Sequence, residues 1–400
     1  MKRKNMIIVK ASAACCLFLT TFIHQNVAFA QGVLTLKDLT NHVRQVLKAD
    51  EAGANLTKME LLVQESELKL FGATELEVEA ELNKNGVTDS YQVMVNQPLL
   101  FNANAGASRI AGEQLARLRG SEFDQELRKV VTDVASILIE ESFTAKKIEI
   151  LAGGVKTLED MASLLEKSRG QATAIAASQT AEKLRHRQEI LKAETEHLAS
   201  IRNSLALWQL KPDTKLEVIV PELSELLAKV DRQPEIEQAS MRAAVAEAKA
   251  SAESGKFEVS LGIGSHINQV NDEKSYLIRL SAPLGQIHTN RYSVNQFLQE
   301  KSVLTDRVRM LSALQTERVS SLYGELRKEK NLLESQRSSL VTAEKLYEMT
   351  KLGFQNGFVD FVSLNDAFDR FFDASELAND MDKTFLRLKL EVFNVSGGWL

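Results

Sequence analysis

The sequence predicts a mainly α-helical fold in which two long helical hairpins follow one another along the chain, each preceded by two β-strands. Three observations support this fold class. The stretch between Gln286 and Leu352 repeats apolar residues at helical spacing, and shorter segments alternate apolar and polar residues as strands do. Proline and glycine landmarks also recur at a nearly fixed distance, which indicates an internal duplication.

The region from Gln286 to Leu352 predicts one uninterrupted helix. It has no proline and a single glycine, Gly324, and its apolar residues return at steps of three and four, which places them on one side of a helix. At about 1.5 Å per residue such a helix would extend for roughly 100 Å, which is longer than a compact domain can bury. It must therefore pack lengthwise against other helices.

The segment Gly353–Gly357 predicts a tight reversal at the end of this helix, because glycine adopts the backbone angles that a sharp turn requires. A second helical pattern then runs back to Asn394. An earlier part of the chain has the same layout: a helical stretch from Asn102 to Arg169, a reversal at Gly170 and a return from Ile175 to Leu207.

Two segments predict β-hairpins with one apolar and one polar face. The first hairpin ends at Pro98, and the second contains alternating runs from Phe257 to Ile263 and from Tyr276 to Leu280. The charged residues that this alternation assigns to the polar faces are Glu75, Glu77, Glu79 and Glu81 in the first hairpin and Glu258 and Arg279 in the second.

The duplication follows from two pairs of landmarks. Pro98 and Pro283 each close a hairpin and are 185 residues apart (283 minus 98), while Gly170 and Gly357 mark the reversals and are 187 apart (357 minus 170). We therefore divide the chain into a first repeat at 31–210 (β-hairpin 74–98, helical hairpin 102–208) and a second at 211–400 (β-hairpin 256–283, helical hairpin 286–396). In this division all five prolines fall at element boundaries.

Residues 1–30 predict a secretory signal peptide, because a basic start precedes a short apolar region and an Ala-x-Ala ending before Gln31. A membrane anchor is the competing interpretation. Cys15 and Cys16 both lie in this segment, so the protein after cleavage would have no disulfide and no thiolate metal site. The net charge of −5 is spread along the helices without a basic patch, which argues against nucleic acid as a partner.

The C-terminal segment resembles the last part of TolC-like outer-membrane efflux factors. In that family a glycine turn is followed nine residues later by an Asp-Ala pair, then by a returning helix and a terminal Gly-Gly-Trp. Gly357, Asp366, Ala367, Gly398 and Trp399 occupy those places here. The resemblance implies a homotrimer with a twelve-stranded outer-membrane β-barrel, four strands coming from each chain, and a helical tunnel that extends into the periplasm of a Gram-negative bacterium.

The function implied by the resemblance is an exit duct that works with an inner-membrane transporter and a periplasmic adaptor. We expect a periplasmic gate formed by Asp366, with Asp360 and Asp369 nearby, although these acids also suit a solvated face or a helix start, above all at Asp360. Gly170 and Gly357 would form the adaptor-docking tips, or would only permit the reversals. The polar strand residues would face the barrel lumen, where an acidic surface favours cations; the alternative is that any polar face would serve.

Other classes of protein fit the sequence less well. The histidines are dispersed, and no motif suggests a nucleophile with its base, a phosphate loop or a metal site, so we expect no enzyme activity and no cofactor. A periplasmic adaptor also has a long helical hairpin, but β-rich modules flank it, and a coiled-coil structural protein would not need the paired amphipathic strands. The exported substrate, whether a drug, a metal ion or a protein, is left open.

Overall fold

The computed structural model describes residues 33–49, 51–56, 58, 75–82, 88–102, 105–167, 171–268, 273–281 and 286–396. The signal peptide predicted for residues 1–30, Gly170, Pro283 and Trp399 lie outside these residues. The helices are α1 (Leu36–Leu47), α2 (Ala105–Lys167), α3 (Gln171–Leu207), α4 (Leu223–Leu227), α5 (Pro234–Ser254), α6 (Gln286–Gln355) and α7 (Phe361–Val395). The strands are β1 (Val33–Thr35), β2 (Glu75–Leu82), β3 (Thr88–Asn102), β4 (Lys215–Glu217), β5 (Lys256–Asn268) and β6 (Glu273–Ser281).

Two rods, α2 and α6, set the length of the molecule. They contain 63 and 70 residues, which corresponds to roughly 95 and 105 Å at the rise of an α-helix. The shorter helices lie along them: α3 packs on α2, α7 packs on both α6 and α2, and α5 packs between the two rods. The predicted helical hairpins are confirmed, whereas the proposed repeat boundaries stay a prediction.

Helix α6 has two apolar stripes. The first is the predicted seam, in which Val319, Leu322 and Leu333 are buried against neighbouring helices. The second was not predicted, and its members are exposed: Val303, Met310, Leu314, Leu332 and Leu346. Their spacings of 7, 4, 18 and 14 residues are close to whole helical turns, so they share one side of the rod. These exposed apolar residues, which polar residues interrupt, are a candidate contact surface on this side of the rod.

None of the helices in the described part of the chain combines the length and apolarity needed to cross a bilayer.

The four long strands form one antiparallel sheet in the order β2-β3-β5-β6. The two predicted hairpins are thus joined through β3 and β5, which pair from Ser90↔Asn268 to Asn102↔Lys256. This joining was not predicted, because each hairpin has the same alternation whether or not it has a neighbour. At the Asn102↔Lys256 end of this pair, β3 is followed in the chain by α2, and β5 is preceded by α5.

Pro98 does not close the first hairpin as predicted. Strand β3 continues through it to Asn102, and Pro98 is paired in register with Ser260. Among the described residues the last partner of β3 on the β2 side is Glu75, opposite Asn96, so Pro98 has a described strand partner on the β5 side alone. A residue without an N–H is tolerated where one flank of the strand is unpaired.

Short elements pack beside the middle of the rods. We call them the collar, and they are β1, α1, β4 and α4 with the loops next to them. Strands β1 and β4 form a two-stranded parallel sheet, which is too short to have a recognisable sequence pattern. Leu39, Val43 and Val131 are fully buried in the collar core. Trp208 packs against this core, and its carbonyl oxygen accepts a 2.8 Å hydrogen bond from Nε2 of the buried His42.

A buried carboxylate fastens the collar to the rods. Glu141 of α2 is fully buried; Arg202 Nε of α3 donates to its Oε1 at 2.9 Å, and the Asp213 amide of the collar donates to its Oε2 at 3.3 Å. Both oxygens are therefore satisfied, which is the condition under which a buried charge is tolerated.

We predict that Glu141→Ala lowers the free energy of unfolding by about 1 to 3 kcal/mol, because it leaves Arg202 Nε and the Asp213 amide without their acceptor, although Arg202 keeps its pair with Asp213. The measurement is denaturant unfolding in detergent, followed by circular dichroism. Arg309→Ala is the matched control: its pair with Asp306 spans 3.5 Å between largely exposed side chains, and its loss should change stability by less than about 0.5 kcal/mol. Equal effects of the two substitutions would contradict the prediction.

Candidate functional site

The reversal between α6 and α7 is a Schellman turn built on glycine. The Phe358 amide donates to the Gly353 carbonyl at 2.8 Å and the Gly357 amide donates to the Phe354 carbonyl at 3.0 Å, which is the hydrogen-bond pair of this motif. Gly357 has a φ of 77°, a left-handed conformation that favours glycine. The predicted tip is thus a defined turn. It presents Phe358 with 86% of its surface exposed.

Asp360 caps the start of α7. Its carboxylate accepts a 2.8 Å hydrogen bond from the Ser363 amide, and the Ser363 side chain, followed by this amide, lowers the pKa of the Asp360 carboxyl by hydrogen bonding. The interpretation of Asp360 as an acid at a helix start therefore agrees with the geometry. Its negative charge stabilises the helix above the usual pKa of aspartate, and this contribution is lost as the pH falls through the lowered value.

An aromatic cluster joins the rods just behind the tip. Phe368 and Phe372 of α7 are buried with Leu151 and Leu158 of α2. Tyr347 of α6 stacks on Phe371 at a ring distance of 5.6 Å and an interplanar angle of 4°. Three helices thus meet around the rings of α7, and a displacement of α7 at the tip would disturb both rods.

A guanidinium group lies inside this cluster. Arg187 of α3 stacks over Phe372 at 3.5 Å from the ring centroid and over Phe368 at 4.8 Å. Its Nη2 lies 3.4 Å from Asp369 Oδ1, and Lys183 Nζ, one helical turn away, lies 2.5 Å from Asp369 Oδ2. Asp369 is therefore held by two cations of α3, and this ion-pair cluster fastens α3 to α7.

More charged side chains lie on the side of α7 that faces α2 and α3. Burial raises the pKa of the Glu376 carboxyl, while the nearby charges of Lys147 and Arg187 oppose that shift. Burial also lowers the pKa of the Arg187 guanidinium, against the effect of Asp369. The region behind the tip thus contains several charges in a partly dry environment, where each ion pair is stronger than it would be in water.

Asp366, the expected gate residue, lies on an exposed part of α7. Its carboxylate pairs with Arg370 of the same helix at 2.9 Å, and both side chains are more than half exposed. The structure does not bring Asp366 into contact with Asp360 or Asp369 in the described residues. Sequence reasoning missed Lys183, Arg187 and the aromatic cluster, because nothing in the sequence pairs residues that are 182 to 186 positions apart.

The other end of the molecule carries the sheet. By strand register, Glu75, Glu77, Glu79 and Glu81 lie on one face, together with Glu258 and Arg279. The opposite face is apolar and largely exposed, through Val78, Val95, Ile263, Tyr276, Ile278 and Leu280. The exposed fractions of Tyr276 and Ile278 are 91% and 79%. The separation into a charged and an apolar face agrees with the prediction, although the assignment of a lumen side stays a prediction.

Within the described residues there is no group of three or more His, Cys, Asp or Glu side chains that could hold a metal ion. A polar cavity of about 240 Å³ between α2, α5 and α6 is lined in part by Arg242, Arg307 and Glu235. Arg242 is already paired with Glu122 at 3.0 Å, and the cavity lies away from both ends of the rods.

We predict that Gly154→Ala destabilises the tip by about 1 to 3 kcal/mol, because a Cβ atom there would lie 2.5 Å from Phe372 Cε2 and force the ring off the Arg187 guanidinium. The measurement is thermal unfolding in detergent. Gly153→Ala is a control one residue away, with nothing within 4 Å of the added atom, and it should leave stability unchanged or raise it by up to about 1 kcal/mol. Similar effects of both substitutions would contradict the close packing.

Comparisons with known proteins identify the fold through structure and not through sequence. No protein-family profile and no curated protein matches the sequence. Among solved structures, CusC has a TM-score of 0.68 and 12% identity, over 94% of this chain and 95% of that chain. Its crystal structures concern conformational changes that accompany folding and transmembrane channel formation. The open state of the Neisseria gonorrhoeae MtrE outer membrane channel has a TM-score of 0.67 and 13% identity, over 91% and 89%.

The outer membrane protein VceC from Vibrio cholerae is similar as well, with a TM-score of 0.60 and 12% identity over 90% of this chain and 96% of that chain. The similarity therefore extends over nearly the full length of each chain. The resemblance to TolC-like outer-membrane efflux factors is confirmed at the level of fold, and this chain has the fold of these outer-membrane channels.

Proposed function

We propose that this protein is the outer-membrane exit duct of a tripartite efflux or type I secretion system. In this proposal three chains enclose one pore, and an inner-membrane transporter with a periplasmic adaptor delivers the substrate to it. The observation that carries the proposal is the sheet: one face exposes apolar side chains, the other carries charges, and both are held at one end of rods of roughly 100 Å.

The sheet suits a membrane better than water. Tyr276, Ile278 and Leu280 alternate along β6 and are each more than 70% exposed. A continuous apolar face of this kind is stable when it faces lipid, while the charged face opposite requires water. Within the described residues β2 and β6 are the outer strands of the sheet. Since unpaired edges are not tolerated in a bilayer, we infer that β2 of one chain pairs with β6 of the next.

The second apolar stripe of α6 supports several copies of the chain around one axis. Val303, Met310 and Leu332 are exposed, and they lie on a different side of the rod from the buried seam. In a ring of rods each helix contacts neighbours on two sides, so two stripes are needed on one helix. The proposed assembly therefore buries the stripe and closes the sheet with the same contacts between chains.

The tip suits docking of the adaptor. Phe358 and Val362 are 86% and 71% exposed, and the Schellman turn fixes the direction in which they project. An apolar projection on a rigid turn can enter an apolar groove of a partner. We propose that the tip at Gly357 and the reversal at Gly170 together form this surface.

A periplasmic adaptor is the runner-up function, and two features count against it. An adaptor has one helical hairpin flanked by β-rich modules, whereas two long rods are present here, and its strands need no exposed apolar face. A coiled-coil structural protein would leave the charged and apolar faces of the sheet without a purpose.

The proposal is tested by fractionation and electrophysiology. Protein expressed with its N-terminal segment in a Gram-negative host should appear in the outer-membrane fraction, should have the mass of three chains by light scattering in detergent, and should give discrete current steps in planar bilayers. A soluble periplasmic monomer without channel activity would overturn the proposal. A deletion strain grown with antibiotics, dyes and metal salts would then identify the substrate class.

We predict that Asp366→Ala and Asp369→Asn each raise the single-channel conductance of the closed duct by roughly twofold or more. We assign Asp366 to the pore axis, where three copies would form a charged ring that closes the duct, with Asp360 at the base of the same helix. Asp369→Asn acts through a different step, because it releases α7 from Lys183 and Arg187 and lets the tip widen. The measurement is single-channel recording at fixed salt and voltage.

Asp306→Asn is the control for both substitutions. It removes the same charge from an exposed position on α6, where the aspartate pairs with Arg309, and it should leave the conductance unchanged. Unchanged conductance in Asp366→Ala would remove the charged ring. Unchanged conductance in Asp369→Asn would mean that the ion-pair cluster has no part in gating.

A further inference from the structure

A polar network crosses the charged face of the sheet from one outer strand to the other. Glu77 of β2 accepts a 2.9 Å hydrogen bond from Asn96 Nδ2 of β3, and the same carboxylate oxygen lies 3.4 Å from Arg279 Nη1 of β6. In register, Asn96 pairs with Gly262, and Gly262 pairs with Arg279. The charged ends of Glu77 and Arg279 therefore meet above the two inner strands.

Two glycines leave the space that this network needs. A Cβ atom at Gly262 would collide with the side chains of Asn96 and Met94, and one at Gly264 would collide with Met94 and with the backbone of Val93. Met94, which lies under the network, is 1% exposed. Glycine inside a strand is otherwise unfavourable, so its presence at two alternate positions of β5 indicates that close contact across the strand is required.

Arg279 has the opposite charge to the other charged residues on its face of the sheet where all four strands are paired. Over the rows in which all four strands are paired, the charged face contains five acidic residues by register, namely Glu75, Glu77, Glu79, Glu81 and Glu273. Among the described residues on the charged face of these rows, Arg279 is the one Lys or Arg; Lys274 lies on the opposite face. The Arg279 side chain is 47% exposed while it is bound to Glu77, so its charge acts on the adjacent solvent as well as on its partner.

We propose that Arg279 is the selectivity-determining residue of the pore. Paired with Glu77 and positioned through Gly262, it neutralises part of the acidic face and limits the preference of the pore for cations. This inference rests on the proposed function, because it requires the charged face to line the pore. It also refines the expectation of an acidic lumen, since Glu77 is bound to a cation whereas Glu79 is exposed.

The test is the reversal potential of wild-type and variant channels under a salt gradient. Arg279→Gln should raise the cation-to-anion permeability ratio by roughly twofold or more, because three copies of the pore's positive charge are lost. Glu77→Gln should lower the ratio, since it leaves Arg279 unpaired. The double variant should return close to the wild-type ratio, and Arg279→Lys, which keeps the charge, should preserve most of it.

Lys274→Gln is the matched control. Lys274 lies on the same strand as Arg279, and its substitution removes the same charge. Its register partner Ile267 places it on the apolar face, so the cation-to-anion permeability ratio should not change. The trimer mass of each variant is measured first; if Arg279→Gln does not assemble, Glu77→Gln tests the same pair with the opposite sign. Conducting wild-type channels with an unchanged ratio in these variants overturns the inference alone, whereas wild-type protein without channels overturns the proposed function.

Discussion

The length of α6 is the constraint on which the rest of the structure depends. A helix of 70 residues is several times longer than a small domain is wide, so its apolar residues can be buried only by helices that run beside it. No single partner is long enough: α7 and α5 each cover part of the rod. The collar lies where these shorter helices end, and it covers apolar residues that the helix ends would otherwise leave exposed.

Lengthwise packing of this kind also makes the tip mechanically connected to the rods. Helix α7 contacts α6 through Tyr347 and Phe371, and it contacts α3 through Asp369, Lys183 and Arg187. Ion pairs and aromatic contacts differ in how they respond to a displacement, because a charged pair can exchange partners while a packed ring loses its contacts outright. The tip is therefore the part of the chain where a partner could shift α7 by replacing charge contacts without unfolding the rods.

Much of the fold could be predicted from the sequence because helices and amphipathic strands repeat their pattern locally. The seam of α6, the return helix α7 and the alternation around Glu77 and Arg279 all follow from period alone. Contacts between distant residues do not. Nothing near Asp369 indicates that Lys183 and Arg187 bind it, and nothing near Gly154 indicates that the ring of Phe372 requires a glycine there. The extension of β3 past Pro98 was missed for a related reason, since it depends on pairing with the distant strand β5.

The second stripe of α6 and the sheet both favour an assembly of several chains. The single chain leaves three surfaces incomplete: an apolar strip along a rod, an apolar sheet face, and the outer strands β2 and β6. Water disfavours the first two, and neither water nor lipid resolves all three, since lipid suits the apolar face but leaves strand edges unsatisfied. In the assembly that we propose, identical neighbours around an axis, with their sheets in a bilayer, would complete all three surfaces. The charged face would then be directed inward in this proposal, and a cation such as Arg279 would have the water and the opposing carboxylate that its charge requires.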